Sequence, residues 1–175
     1  LLNDSTDGYG LTAMASYYTA KNQPEKANKL MLRALTDKRL PIENKLKWVR
    51  SYVVDLAQKK EDERISSLFS TLFTLYPDEE EVLKLHVDYL IHKRELVSAI
   101  AQQRRLLELN PTNEDYWQTL LTLESEPYTP AKVLQVTNEA LAYFPLSPNW
   151  YYQKAGAQMQ LNLFDDALVT IDSAL

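Results

Sequence analysis

A chain of 175 residues with 45% hydrophobic and 25% charged side chains has the composition of a folded protein and not of a disordered one. A formal net charge of −5, with no basic stripe interleaved with aromatics, argues against nucleic acid as a partner. The absence of cysteine excludes disulfides and thiolate metal sites, and no stretch approaches the roughly 18 uninterrupted apolar residues that cross a bilayer. Only three glycines occur and most of the eight prolines fall between apolar stretches, so helices joined by short connections are expected and strands are not.

In chain order the apolar residues group into paired helical segments. The first pair is placed over 8–41, with "NQPEKA" as its internal turn, and four inserted residues separate it from a second pair starting at Leu46. That pair, 46–79, closes at "LYPDEEEVL"; the third, 80–113, closes at "LELNPTNEDYW"; the fourth, 114–147, at "YFPLSPNWY". A truncated fifth occupies 148–175. Pro77, Pro111 and Pro145 recur at intervals of 34 residues. Proline fixes φ and donates no backbone hydrogen bond, so each is read as ending the second helix of its pair. Trp117, Leu120, Leu121 and Leu123 form one stripe at helical spacing, leaving Asp115, Gln118 and Thr122 on other faces. Ala99 and Ala167 sit where two backbones must approach closely, and a larger side chain there would overpack the crossing by about 1–3 kcal/mol. In "EPYTPAK" Thr129 is expected to cap a helix whose first residue is Pro130. Glu61-Asp62-Glu63, Asp165-Asp166 and the acids after Pro77 are expected in first helical turns, where they complement the helix dipole.

The 34-residue period and its apolar mask resemble the tetratricopeptide repeat, a unit of two antiparallel helices. Position 4 of the unit is Leu11, Val49, Leu83, Trp117 and Tyr151; position 8 is Ala15, Val53, Val87, Leu121 and Ala155. Position 20 is Ala27, Ile65, Ala99, Val133 and Ala167; position 27 is Ala34, Leu72, Leu106, Ala140 and Ala174. The chain departs from the family pattern at position 8, which is never glycine, and at position 24, where Gln103 and Thr137 replace an aromatic. It departs again at Arg39, where proline is expected. The resemblance implies an all-α, right-handed α-solenoid of antiparallel helix pairs: a single array of about five repeats, the last truncated.

Stacked repeats of this kind leave a concave groove lined by the first helix of each pair. By resemblance, positions 2, 5, 9 and 12 face it, Thr12 among them, and the partner-binding residues expected there are Tyr9, Lys47, Arg50, Lys84, Asp88, Gln118 and Tyr152. Lys47, Arg50 and Lys84 are the only basic cluster of the set and would suit a carboxylate or an acidic peptide. The carboxylate clamp of chaperone-tail adaptors is not reproduced in either register tried; the second gives Arg50, Val54, Leu85, Asp115 and Thr119. Charge is uneven, with 11 Lys and Arg against 6 Asp and Glu in residues 1–60, and 8 against 18 thereafter.

Catalysis has no candidate residues, and neither metal nor cofactor is expected. His86 and His92 are six residues apart, unlike an i, i+4 metal pair, and His86 falls at position 7, a packing position. Leu1-Leu2 and the stripe Leu168, Ile171 and Leu175 are read as exposed ends. They raise the expectation of a segment from a longer array, or of dimerisation through one end. The expected function is a non-catalytic scaffold that binds a protein or peptide in the groove. The alternative is a sensor or regulatory domain of a larger enzyme or signalling protein. A soluble location is expected, with cytoplasm and periplasm both open.

Overall fold

A computed structural model describes residues 8–174, with the backbone alone for Tyr9. The described residues hold ten helices and no strand. In order these are α1 Gly8–Ala20, α2 Pro24–Thr36, α3 Ile42–Gln58, α4 Asp62–Leu75, α5 Glu80–His92, α6 Leu96–Leu109, α7 Glu114–Glu124, α8 Pro130–Leu141, α9 Pro148–Gln160 and α10 Phe164–Asp172. Leu1, Leu2 and Leu175, read from sequence as parts of exposed ends, lie outside the described residues. The helices divide between two compact units, Leu1–Val82 and Leu83–Leu175, with the boundary in the first turn of α5. None of the described helices is long and apolar enough to cross a membrane.

In the first unit α1 packs on α2, α3 on α4, and α2 on α4. The core is built from Leu11 and Ala15, Ala27, Met31, Ala34 and Leu35, Val49, Val53 and Leu56, and Ile65, Leu68, Phe69 and Leu72, all buried. Thr12 departs from the expected groove-facing position: it is buried. Gly8, Gly10, Ala13 and Ala15 give α1 little apolar volume, and Thr12 joins Leu11 in the core. The four inserted residues form the first turn of α3 and contribute a buried lysine. Lys45 Nζ donates to Tyr76 Oη at 2.7 Å, and Tyr76 Oη donates to the carbonyl of Leu35 at 2.8 Å, so α2, α3 and the end of α4 share one polar chain. Arg39, standing where a proline was expected, closes its turn by donating from its backbone N and its Nε to Asp37 Oδ1, each at 3.0 Å. These hydrogen bonds hold the Asp37 carboxyl well below the usual carboxylate range. Arg64 on α4 donates to Tyr52 Oη at 2.7 Å and to the Pro24 carbonyl at 2.8 Å. Burial pushes the Tyr52 phenol up.

In the second unit α6 packs on α7, α7 on α8, α8 on α9, and α9 on α10. The two departures at position 24 are buried polar side chains with their hydrogen bonds made, which is the condition for tolerating them in a core. Gln103 donates from Nε2 to the Tyr116 carbonyl at 2.8 Å, and Thr137 donates to the Val133 carbonyl at 2.9 Å. Trp117 Nε1 donates to the Pro111 carbonyl at 2.8 Å and Tyr151 Oη to the Pro145 carbonyl at 3.0 Å, so each aromatic is pinned to the proline six residues before it. Tyr151 is nevertheless only half-buried. The anchor of the fifth pair is Trp150, which is fully buried and donates from Nε1 to Glu114 Oε1 at 2.7 Å. Thr129 occupies the N-cap position of α8 but does not cap it with its side chain; its hydroxyl donates to the Pro127 carbonyl at 3.2 Å. Arg104 on α6 reaches Glu124 at 3.1 Å and Glu139 at 3.0 Å, tying α6 to the end of α7 and to α8.

Four of the five internal turns share one left-handed residue. Asn22, Lys60, Arg94 and Asn162 have φ of 53°, 58°, 60° and 61° and stand at the same place in their repeats. In each turn the next residue's N–H reaches back to the helix it leaves: Gln23 to Tyr18, Glu61 to Leu56, Glu95 to Leu90 and Leu163 to Gln158, at 2.9–3.0 Å. This is the Schellman ending that glycine usually supplies. Asn tolerates the conformation better than Lys or Arg. A Lys60→Gly exchange relieves about 1–2 kcal/mol of left-handed strain against about 0.5–1 kcal/mol of added unfolded-state entropy. The expected net gain is about 0.5–1 kcal/mol, a rise of about 1–4 °C in thermal midpoint. Asn22→Gly should gain less, which a parallel melt by circular dichroism would check.

Candidate interaction surface

The first helices of the pairs carry three recesses. In the first unit a cavity of about 570 Å³ lies between α1 and α3, with Ser16, Thr19, Trp48, Ser51 and Asp55 on its walls. Lys59 closes its rim and pairs with Asp55 at 2.9 Å. In the second unit a recess of about 190 Å³ lies along α5 and α7, floored by Val87 and Leu106 and rimmed by Lys84, Asp88, Asp115 and Thr119. A larger recess of about 390 Å³ lies between α7 and α9, floored by Leu121, Val133 and Ala157, with Gln118, Gln153 and Gln160 among its polar groups.

This surface follows from the helical period. Residues three or four apart share a helix face, so Asp115 and Thr119 of α7 line the recess toward α5 while Gln118, Thr122 and Ser125 line that toward α9. The apolar stripe of the same helix, Trp117, Leu120 and Leu123, is buried. Thr122 and Ser125 donate their hydroxyl protons to the carbonyls of Gln118 and Leu121, at 2.9 and 2.6 Å. They therefore offer the recess lone pairs, and the amides and the Tyr128 hydroxyl are its donors.

Lys47 and Arg50 are exposed on α3 in the first unit. Lys84 is half-buried on α5 and shares its recess with Asp88 and Asp115, which leaves that recess a formal charge of −1. Gln118 lines the recess toward α9, and Tyr152 on α9 is 52% exposed without lining any of the three. The side chain of Tyr9 lies outside the described residues. Sequence reasoning passed over Gln153, Gln160 and Tyr128 in the larger recess and Trp48 in the first unit, since none falls at the four groove positions of the family pattern.

His86 on α5 is partly buried, and desolvation pushes its imidazole below the ordinary value. The neighbouring Gln102 side chain acts the other way and Arg105 pushes it further down. A histidine whose folded pKa lies below its unfolded one binds fewer protons when folded. Its contribution to stability is therefore complete above about pH 6.5 and is lost as pH falls through the lower folded value. Thermal midpoints measured from pH 7.5 to 5 should fall more steeply for the parent chain than for His86→Leu.

No family model and no curated protein sequence matches the chain. Solved structures do. A crystal structure of MamA is 15% identical, with a TM-score of 0.55, over 96% of this chain and 90% of that one. A MamA mutant structure is 13% identical, with a TM-score of 0.53, over 98% of both chains. YrrB, described as a tetratricopeptide-repeat protein with an unusual peptide-binding site, is 13% identical, with a TM-score of 0.53, over 98% of this chain and 86% of that one. Identities this low speak to architecture. With ten described helices joined in pairs, four of the five internal turns being of one kind, the chain has the all-α tetratricopeptide-repeat fold.

Proposed function

We propose that the chain is a non-catalytic interaction scaffold whose first-helix faces hold a peptide or a segment of a partner protein. The observation that carries this reading is the pair of neighbouring recesses on either side of α7, each with an apolar floor and a rim of hydrogen-bonding side chains. Apolar floors give a partner buried area, while fixed polar groups set its register. The peptide-binding site described for YrrB is consistent with it. Lys84, Asp88, Gln118 and Tyr152 are the proposed contacts in the second unit, and Tyr9, Lys47 and Arg50 those in the first.

A random peptide library displayed against the chain tests the proposal. Enriched peptides should bind in solution and lose affinity by about tenfold or more on Asp115→Arg with Gln118→Arg. Exposed substitutions on second helices, Ser98→Arg and Asn138→Arg, should leave them unchanged. Binders indifferent to the α7 pair but lost on the second-helix pair would place the surface elsewhere and overturn the reading.

Self-association through α10 is a second reading, favoured by Phe164, Leu168 and Val169, which are 57%, 67% and 67% exposed on that short helix. Sedimentation velocity would show a concentration-dependent dimer that Leu168→Glu abolishes. A monomer at all concentrations contradicts it.

A further inference from the structure

The recess between α7 and α9 differs from its neighbour in one chemical respect. None of the ten side chains lining it is charged, whereas Lys84, Asp88 and Asp115 surround the recess on the other side of α7. Its donors are the glutamine amides and the Tyr128 hydroxyl. Gln153 Nε2 donates to Gln118 Oε1 at 3.3 Å, and neither side chain makes another hydrogen bond among the described residues. Two paired amides leave at least one N–H and one carbonyl lone pair outstanding, the complement of the C=O and N–H that one residue of an extended chain presents on the same side. Below them the floor is open: a Cβ at Gly156 would meet nothing within 4 Å.

We infer that this recess selects an uncharged, apolar side chain of an extended partner segment, in which the N–H and C=O of one residue pair with Gln118 and Gln153. The inference rests on the scaffold reading and names the chemistry of its ligand. A charged side chain would leave water for a recess with no counter-charge, and the desolvation would go uncompensated. An apolar one covers Leu121, Val133 and Ala157 and exchanges nothing but water. A volume of about 390 Å³ accommodates a bulky side chain together with the backbone that carries it.

The test uses peptides selected from the random library on the whole chain and labelled for fluorescence polarisation. They should share one apolar position, and its replacement by Asp or by Lys should each weaken binding by about tenfold or more. Gly156→Leu should do the same from the protein side. The Cβ of that side chain meets nothing within 4 Å and the substitution replaces a glycine inside a helix, so α9 should be retained, and an unchanged melting profile would verify it. Peptides that depend on Asp115 and Gln118 yet tolerate Gly156→Leu, and accept a charge at every position, would overturn this inference while leaving the scaffold reading intact. Recovery of no α7-dependent peptide would overturn both.

Discussion

Replacing Trp150 with alanine is expected to cost about 3–5 kcal/mol, the range for deleting a large aromatic from a core. Trp150 is fully buried, and its Nε1–H is held by Glu114 Oε1 at 2.7 Å, an atom that also accepts from Ser147 Oγ at 3.1 Å. It therefore joins the start of α9 to the start of α7 through both its ring and its polar edge. In a repeat fold, stability is close to a sum of units and their nearest-neighbour interfaces. The loss should accordingly appear as an early, separate phase in urea titrations followed by far-ultraviolet circular dichroism. Trp150→Phe retains most of the apolar volume and frees a carboxylate on an exposed residue that water can satisfy, so about 1–2 kcal/mol is expected. A Trp150→Ala cost below about 1 kcal/mol would remove this residue from its role as the anchor of the fifth pair.

The second large effect is expected at Tyr76. Its hydroxyl accepts a hydrogen bond from the buried Lys45 ammonium and donates to the Leu35 carbonyl. Tyr76→Phe removes both bonds with little change of shape and leaves an ammonium enclosed without its oxygen. A charge-assisted hydrogen bond contributes about 1.5–3 kcal/mol, and Tyr76→Phe should cost at least that much. Adding Lys45→Met should recover part of the loss, because a buried polar pair replaced on both sides is far less costly than one replaced on one side. The double-mutant cycle on unfolding free energies should give a coupling above about 1 kcal/mol. Purely additive effects would mean that the two side chains do not act on one another.

The architecture was largely legible in the sequence because its signals are local and repeated. Pro77 and Pro111 lie two residues beyond the last residues of α4 and α6, Leu75 and Leu109, and Glu80, Glu114 and Pro148 begin α5, α7 and α9. Period and proline chemistry suffice for that. Single side chains were harder. Trp150 and Tyr151 are adjacent aromatics, and choosing which is buried depends on Glu114, 36 residues earlier in the chain. Thr12 looked like a groove residue because α1 was measured against an idealised pattern, not against its own poverty of apolar volume. The inserted residues looked like a spacer because nothing local shows that Lys45 would find Tyr76.

The binding surface was less legible still. Lys47, Arg50 and Lys84 form a cluster by repeat position; Lys47 and Arg50 stand exposed on α3, and Lys84 shares its recess with Asp88 and Asp115, which the repeat position of a lysine does not show. Charge counted along a helix ignores what the next helix brings. Of the uncharged recess the sequence marked Gln118, whereas Gln153, Gln160 and Tyr128 fall outside the four groove positions; the packing of α7 and α9 brings them together.

Hydrogen–deuterium exchange on the chain, with and without a selected peptide, tests the interaction surface most directly. Binding on the first-helix faces requires added protection in α5, α7 and α9, strongest around Gln118 and Gly156, with α6, α8 and α10 unchanged. Protection confined to α6, α8 and α10 would contradict it.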